Sequence, residues 1–443
     1  MSRRNGAGTA VRDRSATRAP GSRMPRSRVP AQRTAGPAHA APAPPRWGLT
    51  WLGVLPIGLA AALAPADPAP VYASGLWLAG LALLGSGRVP RLGPVDYLGL
   101  LLCGWITATL IWTRDPTASQ TAVRSWWTVT LLLIAARHVL TTRGRLLAVA
   151  AALLSGTTWT AVQVVLAGES EEPVLRVGLD NVGVNYTAYA LTSGALVCVM
   201  LLVARAGNRL VRAVLWALLP LLVHAIALTG TRASLVALAA VAGYLLLALF
   251  HRDAWAWSAA VSALLLAVVP FGHLGRHRPE LLDALFSRPL DDLSGRLLVW
   301  PIAEATFWES PLVGIGVGAF PSVNPYFGIG AHSLLLTLGN DVGLVGIVIF
   351  IALIAGVLAG AAPGSGRRNA MLAGALIVGW TPIWLSGHWE ISPVAWLVLG
   401  LWSRLPVALA TPRRGRRRRR RSDAFLPGRL PTYRTGHATT RRS

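Results

Sequence analysis

Apolar runs separated by short polar breaks fill the chain from residue 47 to residue 409. Twelve are readable: 47–64, 70–84, 97–112, 122–136, 146–167, 186–204, 210–228, 234–250, 254–271, 334–361, 370–386 and 391–409. A membrane-crossing helix needs about 20 mostly apolar residues, with a range of roughly 17–25. The second run is short, the fourth opens at Arg124, and Asn340 and Asp341 interrupt the tenth. The pattern predicts an all-α, polytopic membrane protein with about twelve transmembrane helices over residues 47–411. The flanking segments 1–46 and 412–443 are rich in Pro, Ser and Arg and poor in aromatics. Such composition predicts disorder. A signal peptide is not expected, because a 46-residue Arg/Pro/Ala segment precedes the first apolar run and that run's 18 residues exceed a typical signal core.

Composition sharpens this picture. Apolar residues make up 53% of the 443, charged residues only 14%, and the mean hydropathy is +0.51. A soluble domain carries about 25% charged residues. An ordinary soluble enzyme, a disordered tail protein and a disulfide scaffold are therefore excluded. The net charge is nevertheless +24, and every one of the 42 cationic side chains is arginine. Twenty-three of them lie in 1–46 or from Arg404 onward, including the run Arg416 to Arg421. The tails are expected to meet anionic membrane lipids, at about 1 kcal/mol per nearby arginine, and not nucleic acid. With the N-terminus placed in the cytoplasm, eleven arginines fall in short cytoplasmic connections. Only Arg114, Arg176 and Arg232 fall in short outer ones. That asymmetry predicts both termini on the cytoplasmic side of the inner membrane. Cys103 and Cys198 lie inside apolar runs and read as buried apolar residues.

The segment from Gly272 to Gly330 is the one long outer connection, at 59 residues. Long connections without a function of their own are uncommon. It starts with His273, Arg276, His277 and Arg278. It predicts one short helix over Pro279–Phe286 and another after Ser294, with an apolar face through Leu297, Trp300 and Phe307, with Val299 and Ala303 beside them, and a kink at Pro301. Gly314, Gly316 and Gly318 lack dinucleotide-motif spacing and read as positions needing unusual backbone angles. An arginine at a span edge on the outer side, Arg232, is a functional candidate, with a snorkelling side chain as the bland reading. His332, Arg296 and the group Asp180, Asn181 and Asn185 are further candidates; turn, cap or solvated roles are the alternative for each. His224 reads as packed in the bundle. Trp47, Trp112, Trp126 and Trp402 read as an interfacial belt. Trp300, Trp308 and Trp389 offer aromatic faces for sugar rings or for packing. Asp291 and Asp292 stand without a second carboxylate cluster or a His/Cys spacing, so no bound metal and no cofactor are expected.

Four stretches together resemble the O-antigen ligase/polymerase family of membrane enzymes. They are Asn185-Tyr186-Thr187-Ala188; Gly230-Thr231-Arg232-Ala233-Ser234-Leu235; Ser294-Gly295-Arg296-Leu297-x-x-Trp300 with Ser310-Pro311-Leu312-Val313-Gly314-Ile315-Gly316; and His332-Ser333, nine residues, Gly343-x-x-Gly346. Ser333 stands where the family often has asparagine. The resemblance implies a GT-C-like architecture and transfer of a glycan from an undecaprenyl-pyrophosphate carrier to an acceptor hydroxyl on the outer membrane face. It implies glycan, lipid or protein acceptors. Arg232 and Arg296 would then bind the pyrophosphate, since a guanidinium fork matches phosphate oxygens. His332 would serve as base, with Asn185, Arg276, Arg278, Ser333 and Trp300 lining the substrate site. The alternative from another class is a twelve-helix transporter of a small solute. Against it, no internal repeat is visible, and ion-coupling acids inside spans are nearly absent, Asp341 being the exception.

Overall fold

The computed structural model describes residues 51–87, 89–168, 177–179, 181–250, 296–326, 328–359 and 366–409. Both polar tails, the apolar run 254–271, Arg276, Arg278, the Pro279–Phe286 segment and Asp291-Asp292 lie outside the described residues. So do Arg176 and Asp180.

All the regular structure among the described residues is helical. The helices are α1 (Val54–Leu63), α2 (Ala69–Gly85), α3 (Pro94–Ala108, continued by a 3-10 turn Thr109–Ile111), α4 (Pro116–Val139) and α5 (Arg143–Gly168). They continue with α6 (Val184–Val203), α7 (Arg209–Leu228), α8 (Arg232–Phe250) and α9 (Arg296–Glu309). The last are α10 (Phe320–Val323), α11 (Leu334–Ala359), α12 (Gly366–Ser386) and α13 (Pro393–Leu409). Six are long and apolar enough to cross a membrane: α3 with its 3-10 turn, α5, α6, α7, α11 and α12. Helices α1, α2, α8 and α13 are apolar but shorter. The protein is an all-α, multi-pass membrane protein.

Local chemistry sets several boundaries. Asp115 caps α4 by accepting the Ala118 N–H at 3.0 Å, with Pro116 in the first turn. That start lies six residues before the expected one, because the helix begins outside the apolar run and leaves Arg124 exposed. Asn208 caps α7 through the Val211 N–H at 2.9 Å. Asp96 reaches back to the Gly93 N–H at 2.8 Å at the head of α3.

The connections expected on the outer side meet at one end of the bundle. Tyr186 donates to the Ala64 carbonyl at 2.8 Å, and Tyr72 to the Ile391 carbonyl at 2.9 Å. The Arg114 N–H reaches the Ile315 carbonyl at 3.1 Å, and the Val177 N–H the Leu228 carbonyl at 3.2 Å. The arginine-bearing connections gather at the opposite end. There Arg137 pairs with buried Asp96 at 2.8 Å, Arg404 donates to the Arg137 carbonyl, and Arg367 donates to the Ala248 carbonyl at 2.8 Å.

Two expectations, the tryptophan belt and the packing of His224, are corrected by the structure. Trp126 and Trp402 are core residues, not belt residues; Trp126 stands edge-on to Trp396 with ring centroids 5.9 Å apart. His224 lies on an exposed face of α7, a helix whose buried side runs through Leu215, Leu222, Ala225 and Ile226. The buried stripe of α9 runs through Val299, Ala303 and Thr306, while Trp300 is half-buried. Cys103 and Cys198 are buried and unbridged, as expected.

Candidate functional site

The site is built around a break in α11. Gly343 adopts φ 64° and ψ −171°, so the helical ladder stops and restarts there. The backbone groups released by the break find new partners. The Asn340 carbonyl accepts the Ile315 N–H at 2.7 Å, and the Val342 carbonyl accepts Trp105 Nε1 at 2.9 Å. The Leu344 and Val345 amides donate to the Pro311 and Leu312 carbonyls at 2.9 and 3.2 Å. Buried backbone groups must be paired somewhere; the glycine-rich segment 311–318 pairs three of these and Trp105 the fourth. A Cβ at Gly314 would stand 2.6 Å from the Asn340 carbonyl oxygen, and one at Gly343 would collide with Leu312. Gly314, Gly316 and Gly318 all have positive φ, as expected from their spacing. The Gly343-x-x-Gly346 motif is thus a backbone requirement: a left-handed residue at the break, then a close approach to the Val342 side chain, with Trp105 next.

His332 stands two residues before α11, half-buried, with φ 48°. For a residue with a Cβ this left-handed conformation costs about 1–2 kcal/mol, so its neighbours must hold it. Trp300 Nε1 donates to the Ala331 carbonyl at 2.8 Å. The Asn340 side chain donates to the Ala303 carbonyl at 2.9 Å and ties α9 to α11. Arg296 precedes Trp300 by one helical turn and so shares its face. Its guanidinium acts electrostatically on His332, from the same side as this tie. Burial first, then the nearby His388 and Arg296, push the His332 imidazole down to about 4. At neutral pH it is therefore an uncharged base.

Sequence reasoning missed two residues at this place. His388 and Glu390 lie in the short connection between α12 and α13. His388 Nε2 lies 3.3 Å from the His332 N–H, its Nδ1 lies 3.3 Å from Glu390 Oε1, and the two imidazole rings are 4.7 Å apart. Glu390 is buried. Burial opposes charge on His388, but the hydrogen bond and charge of Glu390, with Asp341, outweigh it and raise His388 above its usual range. The one sequence signal was the polar pair His388 and Glu390 between the apolar runs 370–386 and 391–409. Asp341, first read as an interruption, accepts the Gly318 N–H beside the same cluster.

The other candidates fall at the same end. Helices α8 and α12 run antiparallel, since Tyr244 bonds the Ala370 carbonyl and Arg367 the Ala248 carbonyl. Arg232, exposed at the head of α8, is therefore level with the C-terminus of α12 and the His388 connection. Asn185 is half-buried in the first turn of α6. Its neighbours Tyr186 and Tyr189 pack on Trp389 with ring centroids 5.3 and 5.6 Å away. Trp389 is therefore a packing residue, whereas Trp308 is 67% exposed. Ser333 is buried beside His332. Across the long connection, Arg114 pairs with Glu309 at 2.8 Å, and Ser322 donates to Asp115, which holds that carboxyl below its usual range. Among the described residues, no three His, Cys, Asp or Glu side chains converge to hold a metal.

Residues 216–351 match the family model described as O-antigen ligase. The matched stretch contains Arg232, Arg296 and His332. The match over this stretch supports the O-antigen ligase/polymerase family and a role in surface polysaccharide ligation or polymerisation. No curated protein matches the chain.

Proposed function

We propose that this member of the O-antigen ligase family transfers a glycan from an undecaprenyl-pyrophosphate carrier to an acceptor hydroxyl. The reaction takes place at the outer face of the cytoplasmic membrane, without a metal. The observation that carries the reading is the tie between Arg296 and His332: the Trp300–Ala331 hydrogen bond of 2.8 Å sets a cation beside an uncharged histidine held in an unfavourable backbone state.

The acceptor oxygen attacks the anomeric carbon, the bond from that carbon to the pyrophosphate breaks, and the hydroxyl proton moves to His332. The leaving pyrophosphate keeps the bonding electrons. Arg296 and Arg232 neutralise it, supported by Arg276 and Arg278. Fixed positive charge at that point lowers the barrier because it acts where negative charge grows. Asn185, Ser333 and Trp300 orient the sugars. The arginine-bearing end of the bundle faces the cytoplasm together with both termini, by the positive-inside rule, and the basic tails lie on anionic lipid.

Purified protein in liposomes, supplied with lipid-linked glycan and acceptor, tests this directly. His332→Ala, Arg296→Ala and Arg232→Ala are each expected to lower transfer by about 10²-fold or more, and a chelator is expected to leave it unchanged. Full activity in His332→Ala overturns the base assignment. Solute uptake without consumption of lipid-linked glycan points instead to a transporter.

A further inference from the structure

The His388–Glu390 pair has no part in the transfer chemistry above, yet it touches the base through its backbone. His388 Nε2 faces the His332 N–H at 3.3 Å. A ring nitrogen facing a backbone N–H must carry a lone pair, which puts the ring proton on Nδ1. Nδ1 faces Glu390 Oε1 at 3.3 Å and Thr337 Oγ1 at 3.4 Å. Gly330 leaves the room for this approach, since a Cβ there would stand 2.5 Å from His388 Nε2. The left-handed state of a residue with a Cβ and the net worth of one hydrogen bond are similar in size, so this bond decides whether His332 stays in place.

We propose that His388 is a positioning residue: neutral, its Nε2 accepts the His332 N–H and fixes the base in its left-handed conformation, and protonation of His388 releases it. The proposal rests on the glycan-transfer reading for its effect on rate, though not for its effect on the His332 backbone. Protonation adds one proton from solvent to Nε2 and breaks only the hydrogen bond. The charged and titratable groups facing His388 are Glu390 on its own connection, Asp341 from α11, Arg296 from α9, and His332 itself. Burial works against the protonated form, and Glu390 and Asp341 work for it and prevail.

Three variants in the same liposome assay test this. His388→Ala removes the acceptor and is expected to lower transfer about tenfold or more, the effect of losing roughly 1.4 kcal/mol. His388→Gln keeps an acceptor atom at the Nε2 position without a titrating ring, and is expected to stay near wild type at neutral pH. The wild-type rate is expected to fall as pH drops through a value above 6.5, the raised position of His388. In His388→Gln that acid limb moves below 6.5, toward His332 near 4. Glu390→Gln keeps the bond to Nδ1 but removes the charge, so the limb moves down there too. Amide hydrogen exchange at His332 provides a second reading independent of activity: its protection relative to the intrinsic rate at each pH should fall on acidification through the same limb in wild type and not in His388→Gln. A folded His388→Gln as inactive as His388→Ala, an acid limb that does not move, or His332 protection unchanged across that limb overturns the proposal. A wild type without transfer but with the expected exchange would overturn the glycan-transfer reading alone.

Discussion

His332 and Arg296 differ in what the backbone asks of them. His332 occupies a conformation that favours glycine, so its side chain is retained there against a backbone cost. Arg296 sits in regular helix, so only its head group is special. Arg296→Lys keeps the charge but loses the planar fork that meets two phosphate oxygens. We expect it to fall between wild type and Arg296→Ala in initial-rate assays, with a loss of about 10-fold. Gly330→Ala places a methyl 2.5 Å from His388 Nε2 and must push that ring away. Transfer is expected to drop to the level of His388→Ala with the protein still folded by circular dichroism. These residue-level needs explain what the sequence hid. Arg232, Arg296 and His332 stand in local motifs, which a sequence displays. His388 and Glu390 do not, because 56 positions separate His388 from His332 and only the antiparallel return of α12 brings them together.

At the scale of elements, the broken helix α11 and the segment 311–318 form one unit. Each supplies the backbone partners that the other lacks. Gly343→Ala would force a Cβ into Leu312 and place it at φ 64°. The left-handed residue alone costs about 1–2 kcal/mol, and the collision adds to it, so a clear fall in thermal unfolding temperature in detergent is expected. Trp105→Phe leaves the Val342 carbonyl without its 2.9 Å donor, at a cost of about 1 kcal/mol. A smaller fall is expected, with transfer retained. The glycine spacing announced unusual angles but not the partner segment. Hydrogen bonds between distant loops leave no periodic trace in a sequence. On α9 the expected apolar face is buried at Val299 and Ala303, while the larger Trp300 is half-buried.

For the whole molecule, the run lengths placed helices well, since a membrane sets their length. Tryptophan position was a poorer guide. Trp126 and Trp402 lie near run ends yet fill the core, where large aromatic rings stack edge-on. The gathering of alternate connections at two ends yields a topology prediction. Single cysteines introduced at Asp67, Arg114 or Arg232 into a Cys103→Ala, Cys198→Ala background are expected to react with an impermeant maleimide from the outside of intact cells. Cysteines at Arg143 or Arg209 are expected to react only after permeabilisation. The reverse pattern would invert the orientation.

The distance in chain between His332 and His388 also sets an order of events during synthesis. Helices enter a membrane in sequence, and the connection 387–392 arrives after every other element of the site. Until α12 has crossed and turned, His332 has no acceptor for its amide, and a half-made chain carries its cationic groups without a poised base. On the proposed reading, chains halted at residue 386 are expected to bind donor but to turn it over at least tenfold more slowly than the full chain.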